Sequence, residues 1–306
     1  MPINIASLVK GRIVFYKKSI IFTFISVFLI PLALSQGFCP HTPKKSIMTF
    51  NNMGKSSFED QGMERFLEEL YLQHALSTNK PVAIFGAGYG AGLPSLIRIG
   101  VKTIYLNDLS SENLFCVRNY LEQNFPKWPG VVNYLKGDVT NKEFVSSIPD
   151  NNFGLVYAKN LVQFLTPNEI YDFFNMVNKK LEKFGFFIFV FENPILENEL
   201  EMRDKINREI MQIKHKKPID FDKKILIYFN KNSFGRAGLK CSIKDYFNTD
   251  ISIRAHWWPC SIHKDAQHIT YLLPEQTRKL LLKIGFNEVE FIRFHDEKTY
   301  VFLAKK

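Results

Sequence analysis

A doubly wound α/β fold on a mostly parallel, seven-stranded sheet is what the 306-residue sequence predicts. Two observations carry that prediction. Short apolar runs alternate with segments of helical period, the signature of strands joined by crossover helices. The first run, "PVAIF", then breaks into "GAGYGAG", a glycine-rich strand-to-helix turn at the place where such sheets bind ligands.

The elements follow in order. Residues 58–76 put Phe66, Leu67, Leu70, Tyr71 and His74 on a helical period, so a helix leads into the first strand. After the glycines comes the helical "GLPSLIRIG". "KTIYLND" is a second strand, "SSENLFCVRNYLEQN" a helix opened by Ser110 or Ser111, and "VVNYLKGD" a third strand. "FGLVYAKN" is the fourth, followed by a helix with Thr166 as N-cap, Pro167 in its first turn and Glu169 completing a capping box. Its Ile170, Phe173, Phe174, Val177 and Leu181 share one face. "FGFFIFVF" is apolar on both faces, as a buried parallel strand should be, and its Phe184, Phe186, Phe187, Phe189 and Phe191 read as core. Residues 195–270 break the alternation with a charged helix near 196–217, the strand "KKILIYFN" and a poorly periodic stretch, and read as an inserted cap. A helix from Pro274 to Gly285 and the strands "EVEFIRF" and "TYVFLAKK" end the chain as an antiparallel pair at the sheet edge.

The formal charge of +10 is local. Seven basic residues precede the first acid, Glu59, and the remaining 33 face 30 acids. No later run resembles a basic reading helix, so the sequence makes no case for a nucleic-acid partner. Residues 1–39 have the layout of a signal peptide or membrane anchor, with a basic flank through Lys17 and Lys18 and an uncharged apolar run over 19–38. Such a segment would tether or export the protein; a start at Met48 or Met53 would leave it cytoplasmic. Residues 40–55 read as a linker, and 56–306 as the folded domain. Cys39, Cys116, Cys241 and Cys260 form no CxxC pair and no disulfide framework, which fits a reducing compartment.

Glycines after a first strand let backbone N–H groups and a helix amino terminus approach a ligand. An acid about 20 residues on, Asp108, suits the hydroxyls of a ribose. Gly86, Gly88 and Ala91 satisfy G-x-G-x-x-[GA], which permits a nicotinamide dinucleotide; Gly86, Gly88 and Gly90 also satisfy G-x-G-x-G. This second pattern, with "GDVT" at the third strand, "LVYAKNLVQFLTPNEI" at the fourth, "LEKFGFFIFVFENP" at the fifth and the carboxyl-terminal strand pair, resembles the class I S-adenosylmethionine-dependent methyltransferases over residues 56–194 and 270–306. The resemblance implies S-adenosylmethionine as cofactor and methyl transfer to a small-molecule or macromolecular acceptor. It implies that Gly86, Gly88 and Gly90 pass beneath the methionyl part and that Asp108 holds the ribose, with Leu109 against the adenine. Asp138 would meet the adenine amino group, the Val139 backbone the ring, and Asn160 the methionyl end and acceptor. The family usually carries an acid two positions before its first glycine; here Ile84 stands there, and the cofactor's ammonium needs another partner or a water. An NAD-dependent oxidoreductase, and a non-catalytic, membrane-tethered binding protein with a degenerate methyltransferase fold, are the alternatives.

The insert supplies the acceptor side. His256, His263 and His268 are candidates for a single catalytic base, because histidine titrates near neutral pH. Their spacing with Cys260 matches no standard zinc pattern, so no metal is expected. "AKNLVQF" replaces the [ND]-P-P-[YFW] signature of the adenine and glutamine amino-methylating branches, which argues against those acceptors.

Overall fold

A computed structural model of the chain describes residues 39, 47–48, 55–56, 64–90, 92–192, 226–230, 240–244, 250–254, 268–272, 274–293 and 299–306. It divides into units Met1–Thr42 and Pro43–Lys306, and all the elements below belong to the second. In chain order they are β1 (Ile47–Met48), β2 (Lys55–Ser56), α1 (Glu64–Leu76), β3 (Val82–Phe85), α2 (Leu93–Arg98), β4 (Thr103–Asp108), α3 (Ser111–Asn124), β5 (Val131–Lys136), α4 (Lys142–Ser147) and β6 (Phe153–Lys159). A 3-10 turn (Val162–Phe164), α5 (Pro167–Lys180), β7 (Leu181–Glu192), β8 (Leu226–Asn230), β9 (Lys240–Lys244), β10 (Asp250–Arg254), β11 (His268–Leu272), α6 (Pro274–Ile284), β12 (Glu288–Arg293) and β13 (Thr299–Lys305) complete it.

Seven strands form one sheet in the order β12-β13-β7-β6-β3-β4-β5. β3 to β7 are parallel, while β13 runs antiparallel to both β7 and β12. The expected Rossmann-like, doubly wound sheet is therefore present, with one refinement. β13 lies inside the sheet and β12 alone forms that edge. β1 and β2 make a separate antiparallel pair, and β10-β9-β8-β11 a separate antiparallel sheet.

Helices cover both faces because the parallel strands are apolar on both. Ala83, Phe85, Val156, Ala158, Phe187 and Phe189 pack with Phe173, Phe174 and Val177 of α5 and Leu281 of α6. On the opposite face Tyr157 meets Tyr71 of α1, with ring centroids 5.3 Å apart. α5 has the expected box: Thr166 N–H donates to Glu169 Oε2 at 2.7 Å, and Glu169 N–H to Thr166 Oγ1 at 3.4 Å. Ser110 caps α3, accepting from Asn113 N–H at 3.1 Å.

Several expectations need correction. Phe184 is not core: it is 60% exposed at φ 69, in the irregular start of β7 where the pairing with β6 shifts register, and Phe186 rests partly exposed against His74. Phe66 is exposed too, since α1 buries Leu67, Tyr71 and Ala75 instead. α4, capped by the Asn141 side chain, is too short to register as a periodic pattern. β9 and β10 lie in the stretch read as poorly periodic. Cys116, buried on α3, is disulfide-bonded, so the cysteines are not four free thiols.

The expected signal or membrane-spanning helix, and with it the tether through residues 19–38, is not found among the described residues. Among the described residues no helix is long and apolar enough to cross a membrane, and residues 1–38 lie outside them. The charged helix near 196–217 also lies outside the described residues.

Candidate functional site

β3 is flanked by β4 on one side and β6 on the other, so connections leave its carboxyl end in opposite directions and open a crevice there. "GAGYGAG" occupies that point. Gly86, Gly88, Gly90 and Gly92 have φ of 65°, 55°, 75° and 82°, the left-handed region where a side chain is strained. A Cβ on Gly86 would also lie 3.1 Å from the Leu161 side chain, and one on Gly90 3.2 Å from Val117. Conformation thus favours glycine at all four positions, and crowding adds to it at Gly86 and Gly90.

The loop is latched from three directions. Ala87 N–H donates to the Asn107 carbonyl at 2.9 Å, Gly88 N–H to Asp108 Oδ2 at 2.7 Å, and Tyr71 Oη–H to the Gly92 carbonyl at 2.8 Å. Asp108 is 4% exposed and serves the protein before any ligand. Its Oδ1 accepts from Ser110 N–H at 2.8 Å and Asn113 Nδ2–H at 3.0 Å. Oδ2 accepts from Gly88 and, as a carboxylate oxygen, has capacity for a second hydrogen bond. Burial pushes the carboxyl above its ordinary value of 3.8, against the opposing pull of the Ser110, Gly88 and Leu109 backbone N–H groups and the Asn113 amide. Desolvation and the Asp108 charge both raise the phenol of buried Tyr89. Leu109, the next residue, is 52% exposed, an apolar surface beside the carboxylate.

Asn107 ties the neighbouring loop to the same strand end. Its Nδ2 donates to the Leu135 carbonyl at 3.0 Å and the Gly137 carbonyl at 2.9 Å, and Gly137 N–H donates to the Asp108 carbonyl at 3.2 Å. Asp138 is exposed there. One of its oxygens is engaged in a local turn, accepting from Thr140 N–H at 2.8 Å and Thr140 Oγ1–H at 2.7 Å. Val139 is buried beside it.

Asn160 follows β6 on the other side of the crevice, at φ 54, with its N–H bonded to the Val190 carbonyl at 2.8 Å. Its Oδ1 is buried without a hydrogen-bond partner, as is Oε1 of Gln163. Leu161 between them covers Gly86. The position expected to carry an acid, Ile84, is 4% exposed within β3, level with Leu106 of β4 and Tyr157 of β6.

The glycines, Asp108, Leu109, Asp138, Val139 and Asn160 thus all lie at the carboxyl ends of β3 to β6. His256 and His263 lie outside the described residues, and His268 begins β11 opposite Asn230 of β8. Thr270, two residues on, is fully buried and donates through Oγ1 to the Leu165 carbonyl at 2.6 Å, which fastens β11 beside the turn after β6. Among the described residues no group of three or more His, Cys, Asp or Glu is gathered that could hold a metal ion. Asn107, Tyr71 and Gln163 were not singled out from sequence. A polar residue at an apolar strand position was the available signal for Asn107; Tyr71 read as an ordinary member of an apolar helical face.

No protein-family model matches the chain. No curated protein matches it. Among solved structures, it is similar to an S-adenosylmethionine-dependent methyltransferase from Mesorhizobium loti, at 14% identity and TM-score 0.49, over 81% of this chain and 99% of that one. A 1,6-didemethyltoxoflavin-N1-methyltransferase from Burkholderia thailandensis matches at 11% identity and TM-score 0.47, over 81% and 79% of the two chains. A methyltransferase from Archaeoglobus fulgidus matches at 14% identity and TM-score 0.42, over 79% and 94%. The fold is assigned from the sheet order rather than from these likenesses.

Proposed function

We infer that the chain is an S-adenosylmethionine-dependent methyltransferase acting on an unidentified small-molecule or macromolecular nucleophile. The observation that carries this reading is the sheet order. A dinucleotide-binding sheet continues past its fifth strand with a parallel sixth, whereas here antiparallel β13 is inserted between β7 and β12. That carboxyl-terminal pair is a landmark of the methyltransferase resemblance, and it stands behind a left-handed glycine loop at the sheet's switch point.

The residues present fit the cofactor. Gly86, Gly88 and Gly90 would pass under its methionyl part, and Asp108 would receive a ribose hydroxyl on Oδ2. Leu109 and the Val139 backbone would flank the adenine. Asp138 would meet the adenine amino group through the oxygen that its turn leaves over, and Asn160 would face the methionyl end. When bound, the cofactor supplies an electrophilic methyl group on sulfur. The chain supplies alignment for an in-line displacement, and a base where the nucleophile carries a proton. β8 to β11 form the acceptor side in this reading, with one of His256, His263 and His268 as base.

Titration calorimetry of the full chain with S-adenosylmethionine, S-adenosylhomocysteine and NAD tests the proposal. Saturable binding of the first two, without NAD, is expected. Binding of NAD alone would establish the oxidoreductase alternative, and binding of none would leave a non-catalytic protein on this fold.

A further inference from the structure

We propose that Asn160 and Gln163 bind the ammonium group of the cofactor's methionyl end, in place of the acid that Ile84 displaces; this rests on the methyltransferase reading above. The need arises in β3. A cation brought into a buried crevice requires acceptors, and Ile84 offers none.

The structure holds spare acceptors on the facing strand end. Among the described residues four buried side-chain polar atoms lack a partner: Asn152 Nδ2, Asn178 Nδ2, Asn160 Oδ1 and Gln163 Oε1. The two nitrogens lie away from the crevice, Asn152 ahead of β6 and Asn178 within α5. The two oxygens lie three residues apart just past the carboxyl end of β6, beside the glycine loop. Native proteins pair nearly all their buried polar atoms, so two orphaned acceptors and no orphaned donor past this strand end point to a donor that arrives with a ligand. An ammonium has three N–H donors and no acceptor, which suits two carbonyl oxygens.

Their placement is built into the turn. Asn160 sits in the left-handed region at φ 54, a conformation asparagine tolerates better than most residues, and its N–H is tied to Val190. Gln163 is 5% exposed in the 3-10 turn Val162–Phe164, between buried Val162 and Leu165. Leu161 seats this turn on Gly86, with its side chain 3.1 Å from where a Cβ would be. The turn that carries both acceptors is therefore seated, through Leu161, on Gly86, the residue over which the methionyl part would run. Because both are neutral amides, they recognise the ammonium without adding a second buried charge beside Asp108.

The test compares S-adenosylhomocysteine with 5′-methylthioadenosine, which lacks the amino-acid end, by calorimetry on the full chain. Gln163→Leu and Asn160→Gly, the latter keeping the left-handed backbone, should each weaken S-adenosylhomocysteine roughly tenfold to a hundredfold. Affinity for 5′-methylthioadenosine should stay within about twofold, and Gln163→Glu should keep or raise affinity for S-adenosylhomocysteine. Unchanged affinity for S-adenosylhomocysteine in folded Leu and Gly variants overturns the ammonium assignment while leaving the methyltransferase reading intact. Equal loss for both ligands also overturns it, because that marks a merely structural role. Wild-type protein that binds neither ligand overturns both readings.

Discussion

Asp108 holds the loop together before it can hold a ligand. Its carboxylate accepts from Gly88, Ser110 and Asn113, so replacing it by alanine would unlatch the glycines as well as remove a ribose acceptor. A pH profile separates the two roles. Burial raises the folded pKa above 3.8, so protonation is easier in the folded chain. The contribution of this group to stability is then greatest in acid and is lost as pH rises through the folded pKa. A ribose hydroxyl donates best to the ionised form. Affinity for S-adenosylhomocysteine should therefore rise with pH through that folded pKa, and calorimetry on Asp108→Asn should find the step gone. A profile identical in wild type and variant would remove the ribose assignment. Asp108 was legible in sequence from its spacing to the glycines. Its bonds to Gly88 and Asn113 were not, because these reach it only once β3 lies beside β4 and α3 has formed.

α5 shows how far local chemistry fixes an element. Its cap, first-turn proline and the apolar face of Ile170, Phe173, Phe174 and Val177 stand in the sequence as they stand in the fold, because each depends on residues within one or two turns; Leu181, read as part of that face, instead opens β7 in extended conformation. Thr166→Ala removes the Oγ1 acceptor and should cost about 1 kcal/mol, read from the urea midpoint. The capped helix lays Ile170, Phe173, Phe174 and Val177, all fully buried, over β6 and β7. The turn after β6 shows the opposite case. Three residues of 3-10 helix have no period to detect, and the burial of Gln163 comes from what packs around the turn.

The sheet is the unit on which the remaining differences turn. β7 carries a run of phenylalanines that looks uniform in sequence. Phe189 is fully buried, stacked on Phe187 and Phe302 with centroids 4.8 Å away in each case, while Phe184 is 60% exposed. Phe189→Ala should destabilise the domain by about 3–5 kcal/mol, the usual range for a buried phenylalanine. Phe184→Ala should change it by less than about 0.5 kcal/mol in the same urea series, as surface substitutions do. A comparable loss from both would mean that Phe184 packs in solution. The difference arises because β7 meets its full set of partners only from Phe186 onward. Phe184 N–H bonds to the Lys306 carbonyl, Lys306 N–H returns to the Gly185 carbonyl, and regular pairing with β13 begins at Phe186.

The sequence alone determined the alternation of strands and helices, the glycine turn, the helix caps and the antiparallel carboxyl-terminal pair. Each is written in short-range periodicity and local hydrogen bonding. Tertiary structure decided what no window of residues contains: β13 inside the sheet, Asn107 and Asp108 latching the glycine loop, and two amide oxygens left unpaired beside it. Those features join residues 20 or more positions apart or depend on what a buried group fails to meet. They exist only when the strands have been placed side by side.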